Sequence, residues 1–379
     1  MRIVIVGGGV LGTMHAWHAV RRGHDVVHLE REAEARGASV RNFGLVWVSG
    51  RSSGPELATA LRARQLWEEI GAEVPGVGFR GNGSLTLVRT DAEWLVAEAA
   101  AAAPDAAERG WRLLDAEQVR AVNPALRGDF LGGLHCALDG AVESRVALPA
   151  LRAALAVGPA RCSASREPGR YTWLPGREVR AVGAGSVRDD TGEVHGADAV
   201  VLATGAALGG LVKELAGPVP VRRVWLQMAQ TAPLGEPLAT SVADADSFRY
   251  YPAYDTQRLR IEQPQPPVAA EHGMQLLMVQ RLDGGLTIGD THAYAEPFPF
   301  DEVEAPYDHL VEVASAVLGR PLPRIERRWN GVYAQCLDPA AVAYRSEVAP
   351  GVHLVTGPGG RGMTCSPAIA EQTAEELSW

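Results

Sequence analysis

The stretch Ile3-Val4-Ile5-Val6-Gly7-Gly8-Gly9-Val10-Leu11-Gly12 decides how this sequence is read. Four apolar, β-branched residues predict a short buried parallel strand, and the spacing from Leu11 to Arg22 predicts a helix behind the glycines. Asp25 to Leu29 reads as a second strand, which makes the opening a βαβ unit. The glycines form G-x-G-x-x-G, and Glu30 closes the next strand 21 residues after Gly9. Each position has a physical reason. Gly7 makes the tight turn, Gly9 lets the backbone approach a pyrophosphate, and Gly12 lets the helix pack against the sheet. The helix N-terminus, beginning at Val10 and Leu11, then faces the negative charge. Glu30 is placed to accept hydrogen bonds from an adenosine ribose, and its charge disfavours a 2'-phosphate.

Composition sets the bounds around this unit. The 379 residues include 45 acidic and 36 basic side chains, a net charge of -9, with 46% hydrophobic and 21% charged residues. This is globular composition with room for two or three domains. An acidic chain without a dense basic block is a poor nucleic-acid binder, so no nucleic-acid partner is expected. Lys213 is the single lysine, so arginine must read any anion. Cys136, Cys162, Cys336 and Cys365 lack CxxC spacing and are read as buried thiols in a reducing compartment. His15 with His18, and His24 with His28, have no acidic partners at ligand spacing, so no metal is expected. Gly7 to Gly9 interrupt the first apolar run and no membrane-length segment follows, so the expectation is a cytoplasmic protein with no membrane partner.

Nucleotide-type texture recurs in the middle and at the end of the chain, with strand-rich texture between, which predicts interleaved domains. Three segments point to a flavin as the dinucleotide. Gly37-Ala38-Ser39-Val40-Arg41-Asn42-Phe43-Gly44 offers small residues and donors after the second strand. The strand from Ala197 stops at the turn Ala203-Thr204-Gly205. Thr356-Gly357-Pro358-Gly359-Gly360-Arg361-Gly362-Met363-Thr364 links the last strand to the last helix. A glycine loop at a helix N-terminus carries partial positive charge, which suits the negative charge of a reduced flavin.

The sequence resembles the FAD-dependent amine and amino-acid oxidoreductases around D-amino-acid oxidase, glycine oxidase and monomeric sarcosine oxidase. The resemblance rests on the first glycine motif with Glu30-Arg31, the Gly-Ala-Ser-x-Arg-Asn segment, the Asp115 to Pro124 helix, the Ala-Thr-Gly turn and the terminal Gly-Gly-Arg-Gly-Met-Thr loop. Arg41 to Trp47, Leu286 to His292 and Gly359 to Thr364 look most like a clade associated with phosphonate metabolism and proposed to oxidise aminophosphonates.

The resemblance implies an α/β fold: a doubly wound, Rossmann-like FAD-binding domain (1–78, 145–217 and 329–379) interleaved with a mixed, mainly antiparallel α+β substrate domain (79–144 and 218–328). It adds Val179 to the residues that would hold FAD. Gly331 to Ala334, where some sarcosine oxidases carry a flavin-linking cysteine, has none, so non-covalent FAD is expected. Some oxygen-using relatives employ a lysine over the flavin, whereas Lys213 follows the Ala-Thr-Gly turn on an expected surface helix, which leaves O2 or another acceptor open.

The reaction implied is hydride transfer from the carbon beside nitrogen to flavin N5, followed by imine hydrolysis, on a small anionic amine. The candidates are an aminophosphonate of the 2-aminoethylphosphonate type or a glycine- or sarcosine-type amino acid; a flavin monooxygenase is a third reading. On the substrate side, alternation over Ser247 to Ile261 predicts a hairpin with Arg249 and Tyr251 on one strand and Arg258 and Arg260 on the other. Arg361 is expected beside the flavin as an anion reader, because guanidinium matches phosphonate or carboxylate by paired hydrogen bonds. Trp329, Tyr333 and Trp47 are candidate pocket walls, Gln227 a candidate border of the flavin, and His292 of Gly-Asp-Thr-His a candidate substrate neighbour.

Overall fold

The computed structural model describes residues 1–158, 168–254 and 263–379. Its first sheet has six strands in the order Tyr344–Ala349, Val352–Thr356, Ala199–Leu202, Arg2–Val6, Asp25–Glu30 and Tyr171–Pro175, all parallel but the first. Strand alternation divides the apolar run at its centre. Ile3 and Ile5 join the core beneath four helices, Val10–Arg21, Pro55–Glu73, Ala147–Val157 and Gly362–Glu376. Val4 and Val6 enter the core on the opposite face. That face is covered by an antiparallel sheet of Val179–Gly183, Ser186–Asp189 and Val194–Gly196, with the short helix Leu211–Ala216 beside it.

The helix Val10–Arg21 is buried along almost its whole length. Side chains such as Met14 and Trp17 each contribute roughly 1.5–3 kcal/mol by leaving water. Helix Pro55–Glu73 starts where a helix starts cheaply, with proline in its first turn after Gly54 at φ +90°.

The second sheet has eight strands: Ile325–Cys336, Val221–Pro233, Gly285–Gly289, Leu277–Gln280, Ser241–Ala243, Ser84–Val88, Gly132–Cys136 and Trp111–Asp115. Every neighbouring pair is antiparallel except Ser241–Ala243 with Ser84–Val88. Met278, Leu286 and Ile288 pack against helix Glu304–Leu318 on one face, while Leu277 and Val279 face the core that holds Tyr251 and Tyr333.

Two expectations need correction. The boundary expected between residues 328 and 329 falls inside one continuous strand, Ile325–Cys336, paired along its length with Val221–Pro233. The hairpin expected over Ser247 to Ile261 does not form at its first half. Ser247–Tyr250 is a helical turn and Pro252–Tyr254 a 3-10 turn. The chain there is turned by local bonds, Ser247 N to Asp244 O and Tyr251 N to Ser247 O, and Pro252 has no N–H to give a strand partner. Arg258 and Arg260 lie outside the described residues.

Candidate active site

A continuous cavity of about 1330 Å³ runs from the first glycine turn to the face of the second sheet. At one end Gly7 has φ +110°, and a Cβ there would lie 2.4 Å from Ala203 O. A Cβ on Gly12 would lie 1.9 Å from Gly7 O, so helix and turn touch backbone to backbone. Gly9 is different: its Cβ would meet only Ser39 Oγ, at 3.1 Å, and the residue borders the cavity. Gly9 at the N-cap gives the helix that follows no side chain and its first turn holds no acid, so apart from Val10 N the positive end suits an anionic ligand. Ser39 Oγ accepts from Val10 N at 2.9 Å, and Glu30 Oε2 accepts from Gly8 N at 2.7 Å. Glu30 therefore braces the turn as well as bordering the cavity.

His28, which no sequence motif singles out for this task, holds the turn from behind. Its Nε2 donates to Gly7 O at 2.9 Å and its Nδ1 accepts from Tyr171 Oη at 3.0 Å. Burial pushes its pKa down to about 3, so it serves as a neutral bracket.

The middle of the cavity is walled by the other glycine segments. Asn42 donates to Ala38 O and Ser39 O and accepts from Gly44 N at 2.6 Å, folding the segment back on itself. Arg41 is tied to Arg36 O and Asn330 O. Arg31, Val179, Ala203, Thr204 and Gly205 line the wall, and Thr356 Oγ1 donates to Gly205 O at 2.8 Å across to the last strand. Gly359, Gly360, Gly362, Met363 and Thr364 complete it; Gly12, Gly44 and Gly357 support the wall without lining it. Gly357 has φ +73° and packs on Cys336 Sγ.

At the far end, the half-buried Tyr250 joins the buried Tyr251 and Tyr333, with Tyr250 Oη 3.4 Å from Tyr333 Oη. Burial raises the pKa of all three phenols, so they stay neutral. His292 stacks on Tyr250 at 4.2 Å, and its Nδ1 bonds Gly273 O at 2.9 Å. Asp290, buried and bordering the cavity, lies 3.5 Å from His292 Nε2. Arg51 sits over the Tyr251 ring at 5.8 Å.

The arginines are more engaged than expected. Arg361 borders the cavity, but its Nε donates to Pro358 O, one Nη donates to Ala341 O and the other lies 2.9 Å from Glu56 Oε1. Glu56 is also 3.7 Å from Arg51, so two guanidinium groups share one buried carboxylate. Burial pushes the Glu56 carboxyl up, yet the two arginines together hold it below the usual range. Arg249 reaches Asp246 at 3.0 Å and Gln263 O at 2.6 Å while also bordering the cavity.

Two candidates are not brought to the cavity. Trp329 donates to Arg41 O at 3.3 Å beneath the Arg145 guanidinium, and Gln227 spends its amide on Val303. Lys213 is exposed on Leu211–Ala216. Arg51, Glu56, Tyr250, Gln275 and Asp290 line the cavity without having been singled out in the sequence. Of these, only Asp290 stands inside a recognisable motif, Gly-Asp-Thr-His.

Away from the cavity, Asp189, Glu193 and His195 come within ligand distance of one another. Arg177 already occupies that cluster, 2.7 Å from Asp189 and 3.2 Å from Glu193. No helix among the described residues is long and apolar enough to cross a membrane.

Residues 2–376 match the family model described as FAD dependent oxidoreductase. Among curated proteins, the chain is 29% identical to a subunit of the opine oxidase of Rhizobium meliloti over 176 residues, which is 40% of this chain and 44% of that one. It is 28% identical to glycine oxidase of Geobacillus kaustophilus over 221 residues, 54% of each. The matched stretches thus span about half the length of these relatives. Among solved structures, glycine oxidase from Geobacillus kaustophilus superposes with a TM-score of 0.76 at 20% identity, covering 100% of this chain and 95% of that one. L-proline dehydrogenase from P. horikoshii gives 0.77 at 20% identity over 100% and 93%. At such identities the likeness is one of fold. The acid-free helix end, the backbone contacts at Gly7 and Gly12 and the continuous cavity fit an extended dinucleotide, and the family match extends over nearly the whole chain: the protein belongs to the FAD dependent oxidoreductase family.

Proposed function

We propose that the protein oxidises the C–N bond of a small anionic amine, with a 2-aminoethylphosphonate-type aminophosphonate as the preferred substrate class. The observation that carries the reading is the single cavity joining the dinucleotide turn to a wall of buried tyrosines flanked by arginines. FAD supplies a two-electron acceptor for the hydride leaving the carbon beside nitrogen; the imine so produced is hydrolysed by water. The chain supplies position and field. Gly7 to Leu11 would hold the diphosphate, Glu30 the ribose, and the Gly359 to Met363 loop the flavin end.

Arg51 and Arg361 together outnumber Glu56, their shared carboxylate, by one positive charge. That buried surplus favours an anion in the cavity. A dianionic phosphonate gains more from it than a carboxylate does. Phe43, Trp47 and Leu277 line the same space and keep water from the reacting carbon. The likeness to glycine oxidase supports a second reading, in which the anion is the carboxylate of glycine or an N-methyl amino acid.

Anaerobic mixing tests both. Bleaching of the oxidised flavin by amine alone is expected, faster with aminophosphonates than with their carboxylate analogues. The reverse order selects the amino-acid reading. Bleaching by NADPH alone refutes both in favour of a monooxygenase.

A further inference from the structure

Resting on the amine reading of the same cavity, and deepening it, we propose that Asp290 is the receptor for the substrate's ammonium group, set in a box of aromatic rings, so that the site reads a zwitterion.

Asp290 is 6% exposed, and its Oδ1 has no hydrogen-bond partner among the described residues. A carboxyl group has capacity for about four hydrogen bonds, and leaving a buried oxygen unpaired is costly. The other oxygen does not find a strong donor either. His292 Nδ1 donates to Gly273 O, which can only accept, and Nε2 lies 3.5 Å from Asp290 Oδ2, too long for a strong hydrogen bond. Asp290 thus has an unpaired oxygen on one side and only a long contact on the other. A cation bearing N–H groups satisfies both.

The surroundings suit that cation. Tyr250 and Tyr251 meet edge to face at 5.0 Å, Tyr250 stacks on His292, and Tyr294 lies 6.4 Å beyond His292 in a further stack. Their faces attract an ammonium or N-methylammonium group by the ring quadrupole. Burial raises the pKa of the Asp290 carboxyl, against smaller lowering effects of His292, the Gln275 amide and a backbone N–H.

The opposite pole is in place too. Gln275 O accepts from Asp290 N at 3.0 Å, and Gln275 Nε2 donates to Tyr251 Oη at 3.4 Å. The Tyr251 ring carries Arg51 on its face. Tyr251 thus stands between a carboxyl pole and a guanidinium pole, which matches a molecule with an ammonium at one end and an anion at the other.

The test uses isosteric probes that differ only in the ammonium group: glycine against propionate, and 2-aminoethylphosphonate against propylphosphonate. Each is titrated anaerobically into the FAD-loaded enzyme, and binding is read from the flavin absorbance. The wild type is expected to favour the ammonium member of at least one pair. Asp290→Asn should lower that preference about ten- to hundredfold, with the affinity for propionate and propylphosphonate within about twofold of wild type. The unchanged binding of those probes shows that the variant is folded and loaded. A preference retained in Asp290→Asn, or absent from wild type in both pairs, overturns the proposal. Bleaching is scored separately: a preference for ammonium without bleaching keeps the Asp290 site and refutes amine oxidation.

Discussion

His28 Nε2 lies 2.9 Å from the carbonyl oxygen of Gly7 and holds the dinucleotide turn from inside the sheet. His28→Leu removes this donor and also strands the Tyr171 hydroxyl. The expected loss is about 1–3 kcal/mol of stability, together with weaker FAD retention. Denaturant melts, and the flavin-to-protein absorbance ratio after dialysis, check both. A variant of full yellow colour and unchanged midpoint would show that the turn stands without the bracket.

Gly12 and Gly9 should fail in different ways. A Cβ on Gly12 overlaps Gly7 O at 1.9 Å, so Gly12→Ala forces the helix off the turn and costs about 3 kcal/mol or more. Gly9→Val places its bulk beside Ser39 and the cavity, so the chain folds but retains little FAD. Circular dichroism melts alongside flavin content separate the two outcomes, and equal behaviour would contradict the assignment.

Arg361 is held by Pro358 O, Ala341 O and the buried Glu56. Arg361→Met leaves the buried Glu56 with Ser52 and, as charge partner, only the longer contact to Arg51, and breaking such a pair costs about 3–5 kcal/mol. The double variant Glu56→Gln with Arg361→Met should lose less than the two single losses added, because the stranded charge is gone. Additive losses in urea melts would mean that the pair is not coupled.

Three buried histidines set the acid response. Burial lowers His15 to about 4, and His18 and His28 to about 3, from an ordinary value of 6.5. The folded chain keeps these rings neutral while the unfolded chain takes protons near 6.5. Their contribution is therefore complete above about pH 6.5 and falls as pH drops below it, until the folded values are reached. Each histidine adds a slope of about 1.4 kcal/mol per pH unit in that window. Tm should decline steadily from pH 7 to pH 5, and His15→Gln should make the decline shallower. A flat profile in both proteins would argue against buried neutral rings.

The dinucleotide end was legible because its requirements are local. Gly7, Gly9 and Gly12 answer to backbone sterics within a dozen residues, and the strand and helix around them follow from hydrophobic period alone. The terminal loop was legible for the same reason. The substrate end was not. Arg249 and Tyr251 were placed on a strand by alternation, but the bonds of Asp244 to Ser247 wind that segment into a turn. Glu56 carries no sign in its own neighbourhood that a guanidinium 305 positions later, Arg361, will close on it.

By itself, then, the sequence determined a βαβ unit with glycine loops returning at the middle and end of the chain, and with Lys213 as its single lysine it left arginine as the expected reader of any anion. Only the tertiary structure decided which of those arginines are already paired, that His28 braces the turn, and that Asp290 presents an unpaired oxygen among aromatic rings. The physical reason is that strand and turn chemistry is written in near neighbours, whereas charge balance and burial are sums over residues that meet only when the two sheets close around the cavity.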